Sequence, residues 1–456
     1  MRFLLALLIA LILPASACAE AVSDLTDDGL LRVRLASLEE TGELTLAVTG
    51  SYALGGSPAL RLAPGAQLTA QARNGRVLLT VGGLTMDMGE AAELARRSEG
   101  AVMIAETGRD NLYPGDLTLT ADGDSLLATL RVGVEDYLLG VVPHEMSDSF
   151  PVEALKAQAV AARTYAMQRK AASAGRDYDL TDTTADQVFR GVNPDHKNAA
   201  RAVKATRGVV GLWQGEFAAC YYTASNGGLI ALPEEIWGGD CGYIEKKEDP
   251  YDLENPRSLV SELAFAADLS DCAALKGMLE GALGAKVGRV LGVDADGRDM
   301  RFVTDAGEAV LDVYDDVKDK LHLGLNRCDY ERADAERTQD GFVIRLRGFG
   351  HGAGMSQRGA QQMAAAHGMT CREILAFYYP GLTFERIGWA GPDVERFGVV
   401  TAGALNVRAE PGLKAEVLGR LEEGETVTFC GGGDWIYVCA PGLEGWVRAE
   451  YIEILD

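Results

Sequence analysis

At 456 residues the chain is longer than one hydrophobic core usually organises, so two or three domains are expected and a large core is available. Acidic side chains number 67 against 43 basic ones, and the formal charge of −24 disfavours nucleic acid and anionic lipid as partners. The acids are spread along the chain, which reads as a soluble, self-repelling surface and not as an acidic tail.

Residues 1–19 read as an export signal: Arg2 supplies a minimal positive start, Phe3 to Leu13 an apolar run, and Ala15-Ser-Ala17 or Ala17-Cys-Ala19 a small-residue cleavage site. The run is too short for a comfortable membrane span, and every other apolar candidate is broken by charge or glycine. A mature protein without a stable membrane span, secreted or held in the cell envelope, is expected. Cys18 follows Ala15-Ser-Ala17 as in a lipoprotein processing site, although Ala15 stands where leucine would be expected, so lipid anchoring and simple secretion both stay open. Seven further cysteines, Cys220, Cys241, Cys272, Cys328, Cys371, Cys430 and Cys439, fix no disulfide connectivity, and Cys220 with Cys241 is one guess. There is no Cys-x-x-Cys pair and the five histidines are scattered, so neither a metal nor another cofactor is expected.

From Leu31 to about Arg131, short apolar runs alternate with Gly, Pro, Asn and Asp, which is strand and turn punctuation, with Ala91 to Arg97 as one helical interruption. After Pro151 the period changes. Val152, Leu155, Ala159, Ala162 and Ala166 recur at spacings of three and four, with Lys156, Arg163 and Lys170 on a separate polar stripe, and predict an amphipathic helix. Between Val188 and Asp340 the pattern mixes helices (Asn198 to Lys204, Cys272 to Leu283) with strands (Val209 to Leu212, Val287 to Val293, Val310 to Val313), and strand order there cannot be recovered. Gly341 to Leu346 alternates as a strand feeding a glycine-rich turn. A helix follows from Ser356, which can cap it, to Gly368, and Thr370-Cys-Arg-Glu373 reads as a capping box for another. A linker near Trp389-Ala-Gly-Pro392 leads into about sixty β-patterned residues.

Two segments about two hundred residues apart carry the chemistry: Asp136-Tyr-Leu-Leu-Gly-Val-Val-Pro-His-Glu-Met146 and Gly348-Phe-Gly-His-Gly-Ala-Gly-Met-Ser-Gln-Arg-Gly-Ala360. Glycosidic bonds break when an acid protonates the leaving oxygen, and that acid keeps its proton near neutral pH only in a desolvated setting. Glu145, among Leu139, Val141, Val142, Pro143, Met146 and Phe150, fits that requirement; the alternative is a helix-entry carboxylate near Pro151. No second acid stands in a recognisable arrangement nearby, and Asp182 is the best candidate for one. His144-Glu145 fails as a zinc-protease motif because position 148 is Asp. Gly354-Met-Ser-Gln-Arg-Gly359 is not a serine-hydrolase elbow, and no Gly-Lys-Ser/Thr follows the glycines. Gly348, Gly350, Gly352 and Gly354 permit close backbone approach to a ligand, and His351, Ser356 and Gln357 could hydrogen-bond sugar hydroxyls; otherwise the turn is structural, with His351 satisfied by backbone.

The series Pro143, Glu145, Met146, then Leu155-Lys-Ala-Gln-Ala-Val-Ala-Ala-Arg-Thr-Tyr165, Thr181-Asp-Thr-Thr184 and Gly350-His-Gly-Ala-Gly-Met-Ser-Gln357 resembles the SpoIID/LytB family over roughly residues 30 to 385. The resemblance is weakest across 253 to 335. It implies a lytic transglycosylase that cuts peptidoglycan glycan strands, preferably those stripped of stem peptides, with Glu145 as acid and base and a 1,6-anhydro-muramyl product. It also implies a cleft lined by Arg163, Tyr165, Asp182, Thr183, Gln187 and the turn Ser225-Asn-Gly-Gly228, although Ala224 and Asn226 depart from the expected Ser-x-Ser-Gly-Gly form. An internal salt bridge with Asp182 is an equally simple role for Arg163. Ala404-Leu-Asn-Val-Arg-Ala-Glu-Pro411, Leu421 to Val427, Trp435 and Gly445-Trp-Val447 resemble bacterial SH3 domains, which implies a wall-targeting barrel.

The expected fold class is therefore α+β: a mixed α/β region over 28–388, β-rich to about 130, followed by a small all-β barrel over 397–456. Because the family includes amidase enhancers, a non-catalytic glycan-binding partner of an N-acetylmuramoyl-L-alanine amidase is the alternative. A sporulation role rests on the family name alone.

Overall fold

The computed structural model describes residues 27–38, 41–55, 57–238, 241–325, 329–389, 396–409, 412–430, 435–440 and 443–455. The expected export signal, Cys18, Cys328 and most of the linker after Trp389 lie outside them. Among the described residues no helix is long and apolar enough to cross a membrane. The fold is α+β, as the sequence pattern implies.

The N-terminal part is built from two antiparallel-dominated sheets. In the larger, strand Leu30–Arg34 lies between Leu180–Thr181 and Ser125–Gly133, and the sheet continues through Asp116–Asp122 and Ala91–Arg96. The smaller sheet centres on Gln67–Arg73 and Glu43–Val48. Alternation buries Leu117, Leu119, Leu126, Ala128 and Leu130 from one sheet and Leu44, Leu46, Leu68, Ala70, Val77 and Leu79 from the other in a shared core. Ala91–Arg96 is a strand and not the expected helical interruption. Its helix-favouring alanines are overridden because Leu94 and Ala92 pair with Leu117 and Leu119 across the sheet.

Strand Ser125–Gly133 runs without a loop into helix α1 (Val134–Glu145), so Glu145 is the last residue of a helix anchored to the sheet. It is not a helix-entry residue, because α2 (Val152–Ala172) begins seven residues later. The predicted amphipathic α2 is instead buried nearly all round, with Arg163 at 0% exposure. Its run of alanines lets α1, α3 (Lys197–Ala205) and strand Val209–Trp213 approach closely, and further along the chain helices Gln357–Ala366 and Cys371–Tyr378 do the same. Both predicted caps are formed: Ser356 accepts from Gly359 N, and Thr370 with Glu373 closes a capping box.

Residues 260–347 form a unit with its own core, including Phe265, Leu279, Met300, Phe302, Val317 and Ile344. Its strands are Val290–Asp296 and Gly307–Asp312, offset from the predicted Val287 to Val293 and Val310 to Val313. Strand Val260–Ala266 pairs with Gly341–Arg347 in a register that sets Val260 opposite Arg347. The unit thus leaves and rejoins the main body at one point, and the glycine turn after Arg347 lands on the Ser225–Gly228 turn through the Ser225–Phe349 bridge. Strands from Arg396–Val400 to Ile452–Leu455 make a separate seven-stranded sheet around Val407, Val427, Val438 and Val447.

Candidate active site

The second motif joins the middle of the chain in a short parallel pair, Met355–Ser356 against Tyr222–Thr223. The pair is locked from below by two fully buried carboxylates. Asp252 accepts from Ser225 Oγ at 2.8 Å and from Ser356 Oγ at 2.7 Å, while Asp249 accepts from Asn226 Nδ2 and from Tyr378 Oη, each at 2.8 Å. Burial raises the pKa of both acids, and the hydroxyl and amide donors work against that rise. The glycine turn packs equally tightly on this strand. At Gly354 (φ +70°) a Cβ would lie 2.0 Å from Tyr221 O, and at Gly350 (φ +100°) 2.3 Å from Thr223 Oγ1. The close approach these two glycines allow is to the protein's own Tyr221–Thr223 segment.

This clamp delivers Tyr222 and Gln357 to Glu145. Val188 N donates to Glu145 Oε1 at 2.8 Å, and the polar ends of Gln357 and Tyr222 face the same carboxyl. Desolvation dominates and raises the Glu145 pKa, while those three donors favour the charged form. Its place at the C-terminal, negative end of α1 acts in the same direction as desolvation. Val188 is held by its loop: Asp182 accepts from Ser37 N at 3.0 Å and from the Ser37 hydroxyl, and Asp186 accepts from Thr181 N at 2.8 Å. Gln187 accepts from Tyr137 Oη at 3.2 Å and donates to Tyr222 Oη at 3.0 Å and Ala162 O at 3.2 Å.

Beside this network opens a cleft of about 270 Å³ lined by Tyr165, Thr184, Ala185, Asp186, Tyr221, Tyr222, Trp237 and His351. Tyr222 belongs to both, with its ring in the cleft wall and its hydroxyl at Glu145. His351 Nδ1 accepts from Ala353 N at 3.1 Å, the ring also hydrogen-bonds the Tyr222 backbone, and burial lowers its pKa to about 4. The imidazole is therefore neutral across the physiological range and presents a ring, not a free proton carrier, to the cleft.

Of the residues expected to bind substrate, Tyr165 and His351 line the cleft, and Gln357 and Gln187 belong to the network around Glu145. Arg163 does neither. It forms a bidentate pair with Glu135 (2.9 and 2.7 Å) and donates to Val209 O at 3.1 Å, so its partner is also not Asp182. Ser225 and Ser356 are spent on Asp252, Asp182 on Ser37, and Thr183 on its own turn. Cys220 is a free buried thiol, so no Cys220–Cys241 disulfide forms. Sequence reasoning missed Tyr221, Tyr222, Asp186 and Trp237. The first two stand four and three residues before Ser225 and Asp186 sits next to Gln187, but only the fold shows that they face one space.

The chain is 30% identical over 277 residues to an uncharacterized protein of Brachyspira hyodysenteriae, a match that covers 59% of the chain and 71% of that relative. Residues 122–213 match the SpoIID family, described as Stage II sporulation protein. The chain belongs to the SpoIID family. It is similar to the stage II sporulation protein D of Bacillus subtilis, at 28% identity over 61% of the chain and 81% of that protein. It also resembles the amidase enhancer of Bacillus subtilis, at 31% identity over 54% of the chain, of which it spans only 40%. Residues 403–453 match the bacterial SH3 domain. The SpoIID match contains Glu145, Tyr165 and Gln187, whereas Tyr222, Trp237, His351 and Gln357 fall outside it. Membership of this family carries a cell-wall-related role.

Proposed function

We propose that the protein is an exported lytic transglycosylase that cleaves the MurNAc–GlcNAc backbone of peptidoglycan, acting on strands that lack stem peptides. The observation that carries this reading is Glu145, a carboxyl whose pKa is raised by desolvation and which faces three donors able to hold it once it ionises. That setting suits one group acting in turn as acid and base. Glu145 gives its proton to the glycosidic oxygen as the C1–O bond breaks; the C6 hydroxyl of the same muramyl residue then attacks C1 and returns its proton to Glu145. No water is consumed, and a second carboxylate is not required. The SH3-like segment 397–456 would hold the 28–388 region at the wall.

The amidase-enhancer relative supports a second reading, glycan binding without cleavage in support of an N-acetylmuramoyl-L-alanine amidase. Mass spectrometry of peptide-free glycan strands after incubation with the protein separates the two. Anhydro-muramyl ends are expected; reducing ends would make the enzyme a hydrolase, and intact strands would favour the enhancer.

Gln357→Ala provides a finer check. Loss of a donor that favours the Glu145 carboxylate raises the carboxyl's pKa further, so the alkaline limb of the kcat/KM profile should move to higher pH as the rate falls. An unmoved limb would separate Gln357 from the reacting carboxyl.

A further inference from the structure

The cleft has a second feature that the chemistry at Glu145 does not use. Trp237 follows the short helix α4 (Pro233–Ile236) and is 51% exposed, yet it is not loose. Its amide donates to Pro233 O at 2.8 Å, and its ring stacks on Tyr221 at 4.6 Å with a 27° interplanar angle. His351 stands 4.7 Å from the Trp237 ring and 6.4 Å from Tyr221. Those separations set Tyr221 and His351 at nearly a right angle as seen from Trp237. One face and one edge of the indole are braced, and about half of the residue stays exposed.

A large aromatic ring held in place but left half in water is the arrangement that preorganisation would produce, since its rotamer freedom is already spent before a ligand arrives. Around it stand the hydroxyl-bearing side chains Tyr165, Tyr221 and Thr184, while Asp186 in the same lining is held by Arg169 and Thr181. A flat apolar platform inside a polar rim matches a ligand with one C–H face and equatorial hydroxyls, which is a pyranose. An extended peptide offers no such face.

We propose that Trp237, braced by Tyr221 and His351, is the platform on which one sugar ring of the glycan stacks beside Glu145. This rests on the glycan-cleaving reading and adds to it where in the cleft the strand is gripped. The five tryptophans, Trp213, Trp237, Trp389, Trp435 and Trp446, make the test local. The full chain carrying Glu145→Gln, which blocks turnover, is labelled with 5-fluorotryptophan and titrated with short peptide-free glycan strands. Loss of one ¹⁹F resonance in Trp237→Phe assigns Trp237.

The Trp237 resonance is expected to shift with saturation, and Trp237→Ala to weaken calorimetric binding at the cleft by at least about tenfold, with Trp237→Phe recovering most of it. Unfolding curves matching the parent keep the comparison valid, and Trp237→Phe retains a ring should the alanine variant be unstable. A wild-type protein that cleaves strands while its Trp237 resonance stays still, or shifts only at Trp435 and Trp446, would keep the reading and overturn the platform. A protein that neither cleaves nor shifts Trp237 would lose both.

Discussion

Glu145→Gln is expected to reduce glycan cleavage by about 10²–10⁴-fold while leaving strand binding intact. The amide has nearly the shape of the acid, so the α1 terminus, Val188 N and the Tyr222–Gln357 pair can stay in place. What disappears is the proton that leaves with the glycosidic oxygen and the base that recovers it. Because desolvation raises the Glu145 pKa, the wild-type rate should hold into a higher pH range than an exposed carboxylic acid would permit, then fall as that proton is lost. His351, with a pKa of about 4, adds no limb between pH 5 and 8. Quantified anhydro-muramyl ends across pH check both statements. A variant that cleaves within a few-fold of wild type would remove Glu145 from the mechanism.

Arg163→Met is expected to destabilise the 28–388 region by about 3–5 kcal/mol, because it strands Glu135 in a buried setting without its cation. Glu135 also accepts from Gly208 N and Trp389 Nε1, each at 2.9 Å, so the pair ties α1 and α2 to the chain on both sides of the core. Burial pushes the Glu135 carboxyl up, but Arg163 and the donors outweigh it and hold the pKa below the ordinary value. A depressed folded-state pKa contributes stability that is present above the unfolded pKa and lost as pH falls through the folded one. Wild type should therefore lose stability on acidification that Arg163→Met no longer has to lose. Adding Glu135→Leu to Arg163→Met should regain most of the deficit, since a buried pair replaced by apolar groups is near neutral. Urea or thermal unfolding followed in that region measures all three, and a single-variant cost under about 1 kcal/mol would contradict the structural role. Cleft affinity of the folded variant should be unchanged, which distinguishes Arg163 from a substrate ligand.

Local chemistry made much of this protein legible from the chain alone. Periodicity marked α2, and Ser356 and Thr370 with Glu373 announced their helix starts, because caps act within one turn. The apolar setting of Glu145 is likewise written in its neighbours Val141, Val142, Pro143 and Met146. Charge, the β-rich start and the tail pattern belong to the same level.

What only the tertiary structure decided is which polar groups meet. Arg163 read as part of a polar stripe, and packing of small residues on every side of α2 buried it against Glu135. Ser225 and Ser356, like the glycines 350 and 354, pointed to a ligand by residue type, yet each is used by Asp252 or by the strand Tyr222–Thr223. Tyr222, Trp237 and Asp186 carry no signal by spacing, because the cleft forms where a unit of its own, residues 260–347, leaves and returns at one point and brings the last motif onto the middle of the chain. Short-range capping and periodicity are set by neighbours in sequence, whereas a site assembled from several distant segments is set by the register of strands that no single segment encodes.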